Sequence, residues 1–263
     1  MLRKTGSMWQ SPLSSKSVRH AFGLLNAALR WAVRMQLVAR NACDAVRPPS
    51  VPRSDAKALD GGEILKLTLA AADTRWEGFI ALALATGARR GELCALTWAD
   101  IDLDRGRLSI SKSISQTKLG LAVKTPKSGR TRSLPLSRFA VDALRRHRAM
   151  LAKERLAAGE AYEGHELVFP DELGRPMTPM TATCAFERIA KKAGISTTRL
   201  HDVRHTAATT LLASGVDIRT VSSIIGHANA STTLNIYSHV LEDVQHAAVD
   251  TLGDRLERAV RPR

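Results

Sequence analysis

Aromatic side chains are scarce, 4% of the 263 residues, and the chain has three cysteines in all. Cys43, Cys94 and Cys184 are odd in number, far apart and without paired spacing. That excludes a disulfide scaffold and a cysteine-based zinc site, and suits a reducing cytoplasm. No run approaches the roughly 18 uninterrupted apolar residues of a membrane span. Residues Met1 to Gln10 lack the apolar stretch of a secretory signal, so none is expected. A membrane-surface helix would need bulky apolar anchors that so few aromatics do not supply. The same scarcity argues against base-stacking platforms for single-stranded nucleic acid. Acidic residues form no tight cluster able to hold two Mg²⁺ ions.

What is present in excess is positive charge. Lys and Arg number 39 against 25 Asp and Glu, a net +14. Residues 1–55 carry nine basic and two acidic side chains, and residues 105–155 carry fourteen and two, so these two segments hold the whole surplus. Residues 56–104 and 156–263 are slightly acidic. Clustering of this kind is the footprint of a polyanionic partner, and with few aromatics duplex DNA is the expected one. The chain length corresponds to roughly two domains, and 44% hydrophobic residues are enough for a buried core.

Hydrophobic periodicity makes the catalogue mostly helical. Ser14 or Ser15 caps a helix whose apolar positions run Val18, Phe22, Leu25, Leu29, Ala32 and Leu37, ending near Arg40–Asn41, with Arg19, Arg30 and Arg34 on its polar side. The stretch from Arg47 to Ser54 holds Pro48, Pro49 and Pro52, which forbid helix and central strand, so it reads as a linker. Further helices are expected at 61–72, 74–86, 90–96, 137–157, 179–193, 200–214, 217–225, 231–240 and 241–260. Alternating runs at Leu108/Ile110, Leu121/Val123 and Leu134/Leu136, separated by turn residues, predict a three-stranded antiparallel sheet. The expected fold class is mainly α (α+β).

Four short sites could carry chemistry, and each also has an ordinary structural explanation. Glu92 follows Arg89 by three residues, close enough to hold its guanidinium for bidentate binding of a phosphate; a plain structural ion pair has the same pattern. In His201-Asp202-Val203-Arg204-His205, positions 201 and 204 share a helix face and could reach one anion together, with His201 able to move a proton. The same string could be a capped helix with satisfied polar groups. His201 and His205 lack the further ligands of a metal site and the glutamate of a zinc-protease helix. Gly226 suits a helix C-terminus that delivers His227 into a loop. Tyr237, one of two tyrosines, could be a nucleophile or a core residue with a tethered hydroxyl.

The order of these sites is more specific than any one of them. The strings ATGARRGELCALTWADIDL, KTPKSGRTRSLPL and LHDVRHTAATTLLASGVDIRTVSSIIGHANASTTLNIYSHV, with Tyr237 ten residues after His227, resemble the tyrosine recombinases, or phage integrase family, over residues 80–240. The resemblance implies that Arg89 and Arg204 are the catalytic arginines, Lys127 a mobile lysine acting as general acid, and His201 and His227 the rest of the pocket. It also implies Glu92 as the supporting acid and Tyr237 as the nucleophile of a 3′-phosphotyrosyl intermediate. No metal, ATP or other cofactor is expected. Arg19, Arg30, Arg34, Arg130 and Arg132 are expected DNA contacts.

The expected organisation is a partial helical core-binding segment at 1–46, shorter than the usual four-helix module, and a Pro-rich linker at 47–55. A catalytic domain at 56–240 and a C-terminal helix or tail for protomer contacts at 241–263 follow. Expected partners are duplex DNA, further copies in a homotetramer on paired sites and an accessory DNA-bending protein, with no membrane and a cytoplasmic location. Two alternatives stay open: a catalytically silent or truncated DNA-binding remnant, and DNA relaxation of the type IB topoisomerase kind.

Overall fold

The computed structural model describes residues 13–48, 50–51, 58–125, 131–164, 166–226, 249–257 and 260. The chain forms two compact units, Met1–Asp55 and Ala56–Arg263. In the first, helix α1 (Ser15–Arg34) starts where the Ser14 hydroxyl accepts the Ser17 N–H, a side-chain cap for an otherwise unmatched donor. It ends sooner than the periodicity implied. Gln36 takes a left-handed backbone (φ 58°), and the Leu37 N–H turns back to the Ala32 carbonyl at 2.9 Å. A 3-10 turn, Ala42–Ala45, is tied to α1 through Asn41, whose amide donates to Asn26 Oδ1 at 2.7 Å. No residue of α1 is buried.

The second unit is built around α3 (Glu77–Thr86), in which Gly78 through Ala83 are all buried. Such a helix, apolar on every side, must be enclosed by others. Before it comes α2 (Gly61–Ala71), opened by a reciprocal cap between Asp60 and Glu63. After it come the short α4 (Arg90–Cys94), then α5 (Arg138–Ala158), α6 (Pro179–Lys192), α7 (Leu200–Ala213) and α8 (Ile218–Ile225). Phe79, Leu82, Leu93, Leu108, Ile110, Leu144, Phe186 and Val203 form one continuous core. Ala208, Leu212, Val221 and Ile225 form a second, which joins α7 to α8. Residues 249–257 are helical, with Val249, Leu252 and Leu256 exposed. Among the described residues, no helix is long and apolar enough to cross a membrane.

The small antiparallel sheet is present, but its strands differ from the expected set. The three-stranded sheet is made of β1 (Ile101–Asp102), β2 (Arg107–Ile110) and β5 (Arg132–Pro135) in the order β1-β2-β5. Leu108 faces Leu134, and Ile110 faces Arg132. The run at Leu121/Val123 belongs instead to a separate hairpin, β3 (Ser113–Thr117) with β4 (Gly120–Lys124). Two residues, Lys118 and Leu119, close that hairpin, and so short a connection makes β3 the natural partner of β4. β3 rests directly on α4: a Cβ on Gly91 would collide with the Ile114 carbonyl and the Ser113 hydroxyl.

Candidate active site

Helix α3 stops at Gly87, whose left-handed backbone (φ 58°) only glycine adopts without penalty. The chain turns there, held by Thr86 Oγ1 accepting the Ala88 N–H, and delivers Arg89 extended at the start of α4. Glu92 reaches back one turn. One carboxylate oxygen accepts the Arg89 backbone N–H at 2.9 Å, and the other accepts Arg89 Nη1 at 3.0 Å. Arg89 keeps 26% of its side-chain surface exposed, whereas Glu92 keeps 1%. The guanidinium is therefore fixed from behind and open in front.

Helix α7 supplies the facing wall. Its N-terminus is closed by Asp202, which accepts the Arg199 N–H at 2.8 Å. Arg204, one turn in, is buried, and its Nη1 donates to the Gly87 carbonyl at 2.6 Å and the Ile225 carbonyl at 2.7 Å. One guanidinium thus ties the Arg89 turn to the last turn of α8. His201 lies on the same face of α7, exposed to solvent. Partial desolvation, and then the Arg204 charge, hold its imidazole below the ordinary histidine range; the Arg89 charge adds to this. The structure therefore brings Arg89, Glu92, His201 and Arg204 into one electrostatic neighbourhood. His205 packs edge-on against His201, ring centroids 4.9 Å apart.

Burial by itself pushes the Glu92 carboxyl up. The hydrogen bonds and charge of Arg132, followed by those of Arg89, outweigh it and leave the group below the usual carboxylate range. Arg132 is where the reading from sequence needs correction. Its side chain is 8% exposed, and its two terminal nitrogens grip Glu92, Nη2 to Oε2 at 2.6 Å and Nη1 to Oε1 at 3.2 Å. It is turned inward and spent on a carboxylate, so it is not a DNA contact. Strand alternation held the signal: Arg132 and Leu134 share the buried face of β5. An inward arginine needs acceptors for its buried donors, and Glu92 supplies two of them.

Arg19, Arg30 and Arg34 are exposed on α1 in the first unit. Lys127, Arg130, His227 and Tyr237 lie outside the described residues. Among the described residues, no group of three or more His, Cys, Asp or Glu is placed to hold a metal ion. Sequence reasoning missed Thr206. Its hydroxyl accepts the Leu59 N–H at 2.9 Å and so ties the start of the second unit to α7.

A largely helical domain with a small sheet, in which a carboxylate-braced arginine faces a His-x-x-Arg helix, has the features of the DNA-strand-exchange integrases. Residues 57–243 match the Phage integrase family, and the chain belongs to it. It is 30% identical over 273 residues to a tyrosine recombinase XerC-like protein of Caldanaerobacter subterraneus subsp. tengcongensis, covering 96% of this chain and 69% of that one. It is 31% identical to an integrase of Streptomyces ambofaciens, covering 88% of this chain but 62% of that protein, so it spans less than two thirds of that relative's length. Among solved structures, the Tn1549 transposon integrase in complex with transposon right end DNA superposes with a TM-score of 0.75 at 25% identity, covering 92% of this chain and 80% of that one. A lambda integrase dimer bound to a core site shares the fold, with a TM-score of 0.60 at 23% identity, covering 83% of this chain and 74% of that one.

Proposed function

We propose that this chain is a site-specific DNA recombinase of the integrase type, which cuts and rejoins duplex DNA through a 3′-phosphotyrosyl intermediate without metal or ATP. The observation that carries the reading is the Arg89–Glu92 pair set against His201 and Arg204 in a chain of this family. A phosphodiester resists attack because its non-bridging oxygens gain charge in the transition state, and fixed cationic donors stabilise that charge without reorganising. Arg89 has the exposed, pre-oriented face for this task. Arg204 sets the turn that presents it, and His227 adds a donor by resemblance. His201, its imidazole held low, is neutral at pH 7 and suited to take the Tyr237 proton. The phenolate oxygen bonds to phosphorus as the bond to the 5′-oxygen breaks, and Lys127 gives that oxygen its proton. Attack by another 5′-hydroxyl reverses the step and releases Tyr237.

On the same reading, residues 1–46 and the basic stretch 105–155 line the duplex, and the tail from 241 joins protomers of a tetramer on paired sites. An accessory DNA-bending protein would assist. The test is a library of nicked duplexes randomised over the cleavage core, whose freed fragment diffuses away and traps the adduct. Wild type should accumulate an SDS-resistant protein–DNA adduct. Tyr237→Phe should bind duplex equally and form none, and Tyr162→Phe should form it normally. An adduct that maps elsewhere would remove Tyr237 as nucleophile, and no wild-type adduct at all would favour the DNA-binding remnant. Relaxation of supercoils by monomers, with no tetramer on paired sites, would favour the topoisomerase alternative.

A further inference from the structure

Among the described residues, the Arg132 guanidinium meets four groups, and they belong to two different parts of the site. Two are the oxygens of Glu92, which also hold Arg89. A third is the Ile224 carbonyl in the last turn of α8, which accepts Nε at 3.2 Å. The fourth is Gly226, which lies against the guanidinium plane. A Cβ there would stand 2.6 Å from Nη1 and 2.7 Å from Cζ. The guanidinium is held against such a group, because Nε, Nη1 and Nη2 are each committed to an acceptor. Gly226 is also the left-handed cap (φ 75°) from which the chain leaves α8 toward residue 227. The carbonyls of Ile224 and Ile225 are thus each taken by a buried arginine, Arg132 from β5 and Arg204 from α7.

We propose that Arg132 is a positioning residue that locks the Arg89–Glu92 pair and the exit of α8 at Gly226 into one register. The idea rests on the recombinase reading above and deepens it. Arg89 and the segment that begins at residue 227 come from opposite ends of the domain sequence, and both must meet one phosphate within a fraction of an ångström. A planar guanidinium with fixed donor directions can impose such a register, whereas a flexible ammonium cannot. Positioning errors of about 1 Å cost roughly 100-fold in rate.

The variants are Arg132→Lys, the neutral pair Glu92→Gln with Arg132→Gln, and Gly226→Asn. Asparagine tolerates the left-handed backbone but carries a Cβ, so it separates backbone strain from collision with Arg132. On a duplex captured by wild type, each variant should bind within about twofold of wild-type affinity, yet form adduct at least tenfold more slowly per folded molecule. The penalties of Arg132→Lys and Arg89→Lys should not multiply, since Arg132 acts on the reaction through the Arg89 that Glu92 holds. By side-chain nitrogen NMR without DNA, the Arg89 guanidinium should rotate more freely in Arg132→Lys, a readout independent of cleavage. An unchanged adduct rate per folded molecule, fully multiplicative penalties or an unaltered Arg89 signal would overturn the proposal. Absence of adduct in wild type, with Arg89 loosened in the variant, would instead strike the recombinase reading and leave the register role standing.

Discussion

Arginine does opposite things in the two units of this chain. On α1, Arg19, Arg30 and Arg34 stand in solvent on a helix with no buried residue. In the second unit Arg204 and Arg132 are buried, and Arg89 is braced by a carboxylate that is 1% exposed. An exposed guanidinium is hydrated, mobile and screened by salt, so it adds to a general attraction for polyanions and specifies little geometry. A buried one loses hydration, so the partners that replace water at its donors matter, and they fix the backbone on either side. The arginines of α1 stand as separate surface charges, while Arg89, Arg132 and Arg204 of the second unit are parts of a frame.

The contrast is broken most severely by removing the acid at its centre. Glu92→Ala leaves Arg132 buried without a counter-charge, and loss of one partner of such a pair costs about 3–5 kcal/mol. Chemical denaturation should show that loss, with Glu92→Gln intermediate because it still accepts hydrogen bonds. An effect no larger than a surface substitution would mean that the pair is not the frame described. Next in size is Gly91→Ala, which forces α4 off β3. Overpacking of this kind costs about 1–3 kcal/mol, and melting should report it together with slower adduct formation, since Arg89 is the N-cap of α4.

A smaller effect separates buried polar groups by pH. His147 on α5 is buried, with Nε2 donating to the Val168 carbonyl at 2.6 Å and Nδ1 meeting no partner among the described residues. Burial holds its imidazole below the ordinary 6.5. The unfolded chain therefore takes up this proton at higher pH than the folded one. Stability from His147 is complete above pH 6.5 and declines as pH falls below that value toward the depressed folded one. His147→Gln should flatten the stability–pH curve just below pH 6.5, while the fall below pH 4.5 belonging to Glu92 should persist. An unchanged slope would place the titration elsewhere, on His201 or His205. The smallest effects belong to α1. Each of Arg19→Ala, Arg30→Ala and Arg34→Ala should leave melting unchanged and lower the salt slope of duplex binding by about one unit. A large stability loss in any of them would end the contrast between the units.

Local rules accounted for most elements. Asp60, Ser137, Thr178 and Asp217 each begin a helix where a side-chain acceptor meets the first free N–H groups, and Gly87 and Gly226 end one where only a left-handed residue fits. These are contacts within a few residues, so the sequence states them directly. The early end of α1 is a partial exception. The apolar spacing continues to Leu37, but Gln36 adopts the left-handed turn without being glycine.

The sequence by itself determined the helical plan of the described residues, outside which the expected helix at 231–240 lies, together with the family motif order and the pairing of Glu92 with Arg89, because one helical turn brings i and i+3 together. Only the tertiary structure decided which strands pair and where Arg132 points. Both depend on residues far apart in the chain: β5 joins β2 across the hairpin between them, and Arg132 meets Glu92 forty positions away. Charge and alternation name a residue's chemistry and its face. Which partner waits on that face is settled by packing, which brings the Glu92 carboxylate to Arg132 and two backbone carbonyls to Arg204.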